Sequence, residues 1–182
     1  HRYNFFSKSI SCYYISFVQR NRYLSAWHLN LFYKLSSLMW PLKYEDRLRE
    51  WFELRQSFDQ SNLEQSLLAI NKWWWRCPII NNSIHWDNYK KWPNPWELLV
   101  NDAHCDLARA LGIVYTILLI DESYKSRIGL VQSDSDNLVL VDQGKYILNW
   151  SPNDLLNIQS TNITQKKKLT GDLLYSLIGA KA

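Results

Sequence analysis

Glycine and proline are scarce in this chain, five of each in 182 residues, and cysteine is scarcer still at three. So little Gly and Pro excludes collagen-like repeats and Gly/Ser linkers, and the chain contains no Gly-x-Gly-x-x-Gly and no Walker loop to cradle phosphates. Cys12, Cys77 and Cys105 are an odd number without a C-x-x-C pair. That pattern argues against a disulfide framework and a four-ligand zinc site, and it suits a reducing compartment. Long apolar runs are lacking too. The longest, Ile113 to Ile120, carries Thr116 and stops at Asp121, too short to cross a bilayer, so no membrane partner is expected.

Acidic residues are missing from 1–38, which hold five Lys or Arg, leaving 16 basic against 17 acidic residues over 39–182. The net charge of +4 is therefore an N-terminal property. Met39 is the only methionine, and the residues before it lack helical periodicity and clear caps. Met39 thus reads as the natural start, with 1–38 a basic segment of in-frame upstream sequence or a poorly specified extension. A basic arm for nucleic acid needs a cluster; Arg20 and Arg22 with three scattered others do not make one, so nucleic acid is not an expected partner.

What is abundant is apolar and aromatic: 47% apolar residues, with 10 Trp, 11 Tyr and 6 Phe, a globular composition. Tyr44 to Phe58 places Leu48, Trp51, Phe52 and Phe58 near one stripe and predicts an amphipathic helix. Ser61-Asn62-Leu63-Glu64 has the form of a capping box, and Leu63, Leu67, Ile70 and Trp74 predict a second helix ending near Trp75, before Pro78. Asn94-Pro95-Trp96-Glu97 announces a third: cap, first-turn proline and N3 glutamate. This helical pattern resets at Asn101-Asp102 and continues with Leu107, Leu111, Val114 and Leu118. Gly112 shares a face with Cys105, Arg109 and Thr116, a place for another element to come close.

Beyond Asp121 the period becomes that of strands. Ile128–Gln132, Leu138–Val141 and Tyr146–Asn149, separated by turn compositions, predict an antiparallel meander. Ser151-Pro152-Asn153-Asp154 predicts one more helical turn, Lys166-Lys167-Lys168 a solvated loop rather than a phosphate site, since three charges supply little phosphate-binding energy, and Asp172–Ile178 a closing helix. The expected architecture for 39–182 is a single α+β domain, with N-terminal helices and the Pro95-initiated central helix packed on a small antiparallel meander.

Two groups of residues are candidates for function. Six of the ten tryptophans lie between 73 and 96, so Trp86, Trp92 and Trp96 read either as a binding surface for a sugar, a base or a protein, or as rings pinning a loop over the core. The second group is Cys105 beside His104 near a helix start, where the helix dipole stabilises a thiolate. Asp102 and Asp106 lie beside it and oppose that activation. His85, Asp87, Asp102, His104 and Cys105 are metal-ligand types without a ligand spacing, and no metal or cofactor is expected.

A cysteine on a helix followed by antiparallel strands, with Asp142 at a strand end, is similar to the transglutaminase-like and papain-like core. That resemblance implies Cys105 as nucleophile and Asp142 as orienter of an amide-cleaving or amide-transferring enzyme. It also demands a histidine after the cysteine, and none follows Cys105; His85 fits only the reversed order of other cysteine peptidases. A second resemblance spans about 45 to 150. It is carried by Trp92-Pro93-Asn94-Pro95-Trp96-Glu97-Leu98-Leu99, Cys105, Leu111-Gly112-Ile113-Val114-Tyr115-Thr116, Leu138-Val139-Leu140-Val141-Asp142 and Asn149. These residues resemble a group of small proteins encoded by contractile-tailed phages of marine bacteria. That likeness implies a non-enzymatic virion or assembly component, in the particle or the host cytoplasm, whose partners are other phage structural proteins. The basic segment 1–38 departs from the pattern.

Overall fold

The apolar patterning resolves into five α-helices and four strands, with short 3-10 turns between them, among the described residues of a computed structural model, which describes residues 40–41, 43–81, 84–157 and 163–179. The expectations for 1–38 lie outside these residues. Helix α1 (Tyr44–Gln56) begins with Glu45 and Asp46 and ends with Arg55, charges that suit its dipole. It buries Arg47 and Trp51, while Leu48 and Phe52 from the expected stripe stay exposed and Phe58 is half-buried. Helix α2 (Leu63–Trp75) buries Leu67, Ile70, Asn71, Trp73 and Trp74. The capping box expected at Ser61 does not form. Asp59 accepts from the Ser61 amide and hydroxyl at 2.9 and 2.7 Å, which winds Gln60–Asn62 into a 3-10 turn and takes the serine oxygen away from Glu64.

Helix α3 (Pro95–Val100) carries both halves of its capping box: the Glu97 amide donates to Asn94 Oδ1 at 2.9 Å, and the Asn94 amide to Glu97 Oε2 at 2.8 Å. The pattern does reset after it. Residues 101–105 are extended or irregular because His104 is drawn into a parallel bridge with Ile79, its amide donating to Pro78 O at 2.9 Å and its carbonyl accepting from Ile80 at 3.0 Å. Helix α4 (Asp106–Ile120) then runs through the centre, with all twelve residues from Leu107 to Leu118 buried. Its Ile- and Val-rich second half remains helical because α1, α2, α3, β1 and β2 pack around it, and burial on every side overrides the strand preference of β-branched residues.

Strands β1 (Ile128–Gln132), β2 (Asn137–Val141) and β3 (Tyr146–Leu148) form the expected meander, and β4 (Lys167–Thr170) adds a fourth strand in the order β3-β2-β1-β4, antiparallel throughout. The lysine triplet therefore enters a strand rather than a loop: Leu169 pairs with Leu130 and joins the core, which fixes the register. Alternation sends Ile128, Leu130, Val139, Val141 and Leu148 toward the helices. Val131, Leu138, Leu140 and Ile147 form a second cluster on the outer face, closed by Leu156 and Ile163. The helical turn expected at Ser151–Asp154 is replaced by irregular chain, because Asn71 Nδ2 takes the Ser151 carbonyl at 2.6 Å and Leu156 bridges Ile147. Helix α5 (Gly171–Gly179) closes the unit.

The close approach expected at Gly112 is occupied by Trp74. A Cβ on Gly112 would lie 2.6 Å from three atoms of the Trp74 ring. That ring cannot retreat freely, since its Nε1 donates to Thr116 Oγ1 at 2.9 Å beside the Trp51 indole at 2.8 Å, and Thr116 in turn donates to Gly112 O at 2.7 Å. Gly112→Ala would add roughly 1 kcal/mol of helix propensity but force an overpacked contact costing about 1–3 kcal/mol. Urea unfolding is expected to show a net loss of stability, and a gain would contradict the packing.

Candidate functional site

Cys105 stands at the N-cap position of α4, as the dipole argument requires, but its side chain is 0% exposed. Asp142 is held elsewhere. Its carboxylate pairs with Arg127 Nε at 2.6 Å and its amide donates to Arg127 O at 2.9 Å, beyond the far end of α4. Since Asn137 at the start of β2 is bonded to Asp106, Asp142 lies a strand's length away, roughly 16 Å at about 3.3 Å per residue. His85 is exposed on the loop before Trp86 and lines a cleft of about 330 Å³ with Asp87, Asn137 and Lys167 that does not reach Cys105. The structure therefore does not gather Cys105, Asp142 and His85 into one site.

The tryptophans separate in the same way. Trp86 and Trp92 are buried edge to face, 5.6 Å apart, with their indoles donating to Asn137 Oδ1 at 2.6 Å and His85 O at 2.8 Å. Trp96 stands 46% exposed on α3 with its ring 5.6 Å from Trp51. Two rings pin the loop and one faces solvent.

What does converge at the α4 N-terminus is a polar network. Asp106 Oδ1 accepts from Arg109 Nη2 at 2.8 Å and Asn149 Nδ2 at 2.9 Å, while Oδ2 accepts from the amide and the side chain of Asn137, both at 2.8 Å. Arg109 Nε donates to Asn149 Oδ1 at 2.7 Å and its guanidinium lies 3.6 Å from the centre of the Trp75 ring. Burial draws the Arg109 pKa down, and Asp106 opposes that shift. Asn149 holds φ at +65°, a left-handed conformation that asparagine tolerates, and its amide donates to Asn71 Oδ1 at 2.9 Å. Sequence reasoning missed this network; the available signal was an Asp and an Arg three residues apart in an otherwise apolar helix.

Around the Cys77–His104 junction the groups are kept neutral. Burial pushes the Cys77 thiol up to about 12. His104 packs against Trp40 and Trp74, with ring centres 5.9 and 5.7 Å away, and its Nε2 has no hydrogen-bond partner. Burial first, then the Arg47 and Arg109 charges, lower its pKa to about 4. Arg47 itself donates to Asn101 O at 2.5 Å and to Asp102 Oδ1 at 2.9 Å. Among the described residues no three His, Cys, Asp or Glu side chains converge as metal ligands, and no helix is long and apolar enough to cross a membrane. No family model, curated protein or solved structure matches this chain.

The His104 environment sets a pH dependence. Its folded pKa lies below the ordinary 6.5, so the unfolded state binds the proton more readily; the stabilisation is complete above pH 6.5 and is lost as pH falls toward 4. The full effect is on the order of 3 kcal/mol. Denaturant unfolding between these pH values is expected to show this slope in the natural protein and a flatter profile in His104→Phe. Identical profiles would exclude His104 as the titrating group.

Proposed function

We propose that the protein is a non-enzymatic structural or assembly component of a phage particle, present in the virion or the host cytoplasm, and that it acts by docking on other phage structural proteins. The observation that carries this reading is the apolar surface left on α1 and α3. Leu48 and Phe52 are 36% and 54% exposed one turn apart on α1, and Trp96 and Val100 are 46% and 59% exposed one turn apart on α3. Arg47 meets Asn101 and Trp51 meets Trp96, so the two helices lie side by side and antiparallel. Pairs spaced by four on neighbouring helices are how a helical surface presents anchors to a partner. Single exposed apolar residues are ordinary, whereas clustered ones mark interaction surfaces.

The resemblance to phage proteins over about 45 to 150 supports the same reading, since that span includes both helices. An amide-cleaving enzyme gains no comparable support, because Cys105 is enclosed and Asp142 is committed to Arg127. The test is incorporation of the chain into particles. Phe52→Lys combined with Val100→Lys, at exposed positions, is expected to leave the thermal unfolding temperature nearly unchanged and to remove the protein from purified particles, while Cys105→Ala is still incorporated. Unchanged incorporation of the double variant would overturn the docking surface.

A further inference from the structure

The lysine triplet is split by β4. Lys166 pairs with Asp134 at 3.0 Å and Lys167 with Asp87. Lys168 lies in register with Val131 and so shares the outer face of the sheet, and among the described residues it makes no ion pair. In the next row of that face Thr170, Gly129 and Leu140 are cross-strand neighbours. The missing side chain at Gly129 leaves a hollow of about 270 Å³, floored by Gly129 and Leu140.

Hydrogen-bond donors dominate its rim. Among the described lining residues Lys125, Arg127 and Lys168 bring positive charge, Thr170 a hydroxyl and Gln165 an amide, against one carboxylate, that of Asp172. Part of the positive charge is already engaged: Arg127 pairs with Asp142, and Lys125 lies 3.8 Å from Glu122. Among the described rim residues, Lys168 is the cation that makes no ion pair. A flexible cation over a backbone floor, with further donors converging, suits a compact anion that accepts several hydrogen bonds at once. The hollow is at the small end of ligand sites. A nucleic-acid backbone would need a basic stripe, and 39–182 carries 16 basic against 17 acidic residues.

We propose that this hollow binds a phosphate group, as inorganic phosphate or as a small phosphomonoester, with Lys168 as its principal charge partner. The site is independent of the docking surface on α1 and α3. Calorimetric titration of the full chain with sodium phosphate at constant ionic strength tests it, with sodium acetate in parallel. Saturable one-to-one binding of phosphate is expected, weakened about tenfold in Lys168→Gln by loss of a charge-assisted contact. Gly129→Val should abolish it by filling the floor. A Cβ at 129 meets Leu169 O at 3.4 Å and Lys168 Cε at 3.5 Å, ordinary contacts, and valine suits a strand, so the sheet should persist. If the circular dichroism of Gly129→Val is not native, Lys168→Gln at its exposed position carries the test alone. No saturable heat at millimolar phosphate, undiminished binding by the folded variants, or acetate binding as tight as phosphate would each overturn the proposal.

Discussion

The carboxylate of Asp106 accepts four hydrogen bonds, from Arg109, from Asn149 and twice from Asn137, and the joint between α4 and the sheet depends on it. Asn137 opens β2 and Asn149 follows β3, so one side chain at the start of the central helix fixes where both strands lie. The network extends through Asn71 to the carbonyl of Ser151 and through Asn137 to the Trp86 indole, tying α2 and the tryptophan loop to the same point. Such networks are favourable only when nearly complete, because each donor left unpaired in a low dielectric carries its full desolvation cost. Removing one partner of a buried charge pair costs about 3–5 kcal/mol. Asp106 keeps 27% of its surface exposed beside an Arg109 at 7%, which places this pair toward the lower end.

The second polar node sits three turns along α4. Thr116 collects the indoles of Trp51 and Trp74 and returns its own proton to Gly112. Between the two nodes α4 is buried on all sides, so its neighbours are positioned by a few hydrogen bonds within a large apolar contact. Of the nine tryptophans among the described residues, Trp96 and Trp150 are exposed, whereas Trp51, Trp74, Trp86 and Trp92 are buried and each gives its indole N–H a partner.

Much of the local chemistry was legible. The capping box at Asn94, the reset after Val100, the small residue at Gly112 and the three-strand meander follow from sequence spacing and are all present. Expectations failed where a group outside the local pattern claimed a member of it. Asp59 took Ser61 from its capping box, Asn71 took the carbonyls that a turn at Ser151 needed, and β1 drew the lysine segment into the sheet. The candidate site was misleading for a related reason. Cys105 and Asp142 have the chain order of a catalytic pair, but β2 runs alongside α4 and carries Asp142 toward its far end. The groups that do meet Asp106 are asparagines, which single-sequence reading assigns to turns.

The start of α4 is a structural joint in which the Cys105 thiol is enclosed. Alkylation of Cys105, in a protein whose Cys12 and Cys77 are replaced by Ser, tests this most directly. The joint predicts that labelling at neutral pH is limited by unfolding and accelerates in proportion as denaturant populates the unfolded state. Labelling of the folded protein as fast as an accessible thiol, with an apparent pKa below about 8.5, would contradict it and return Cys105 to the role of a nucleophile.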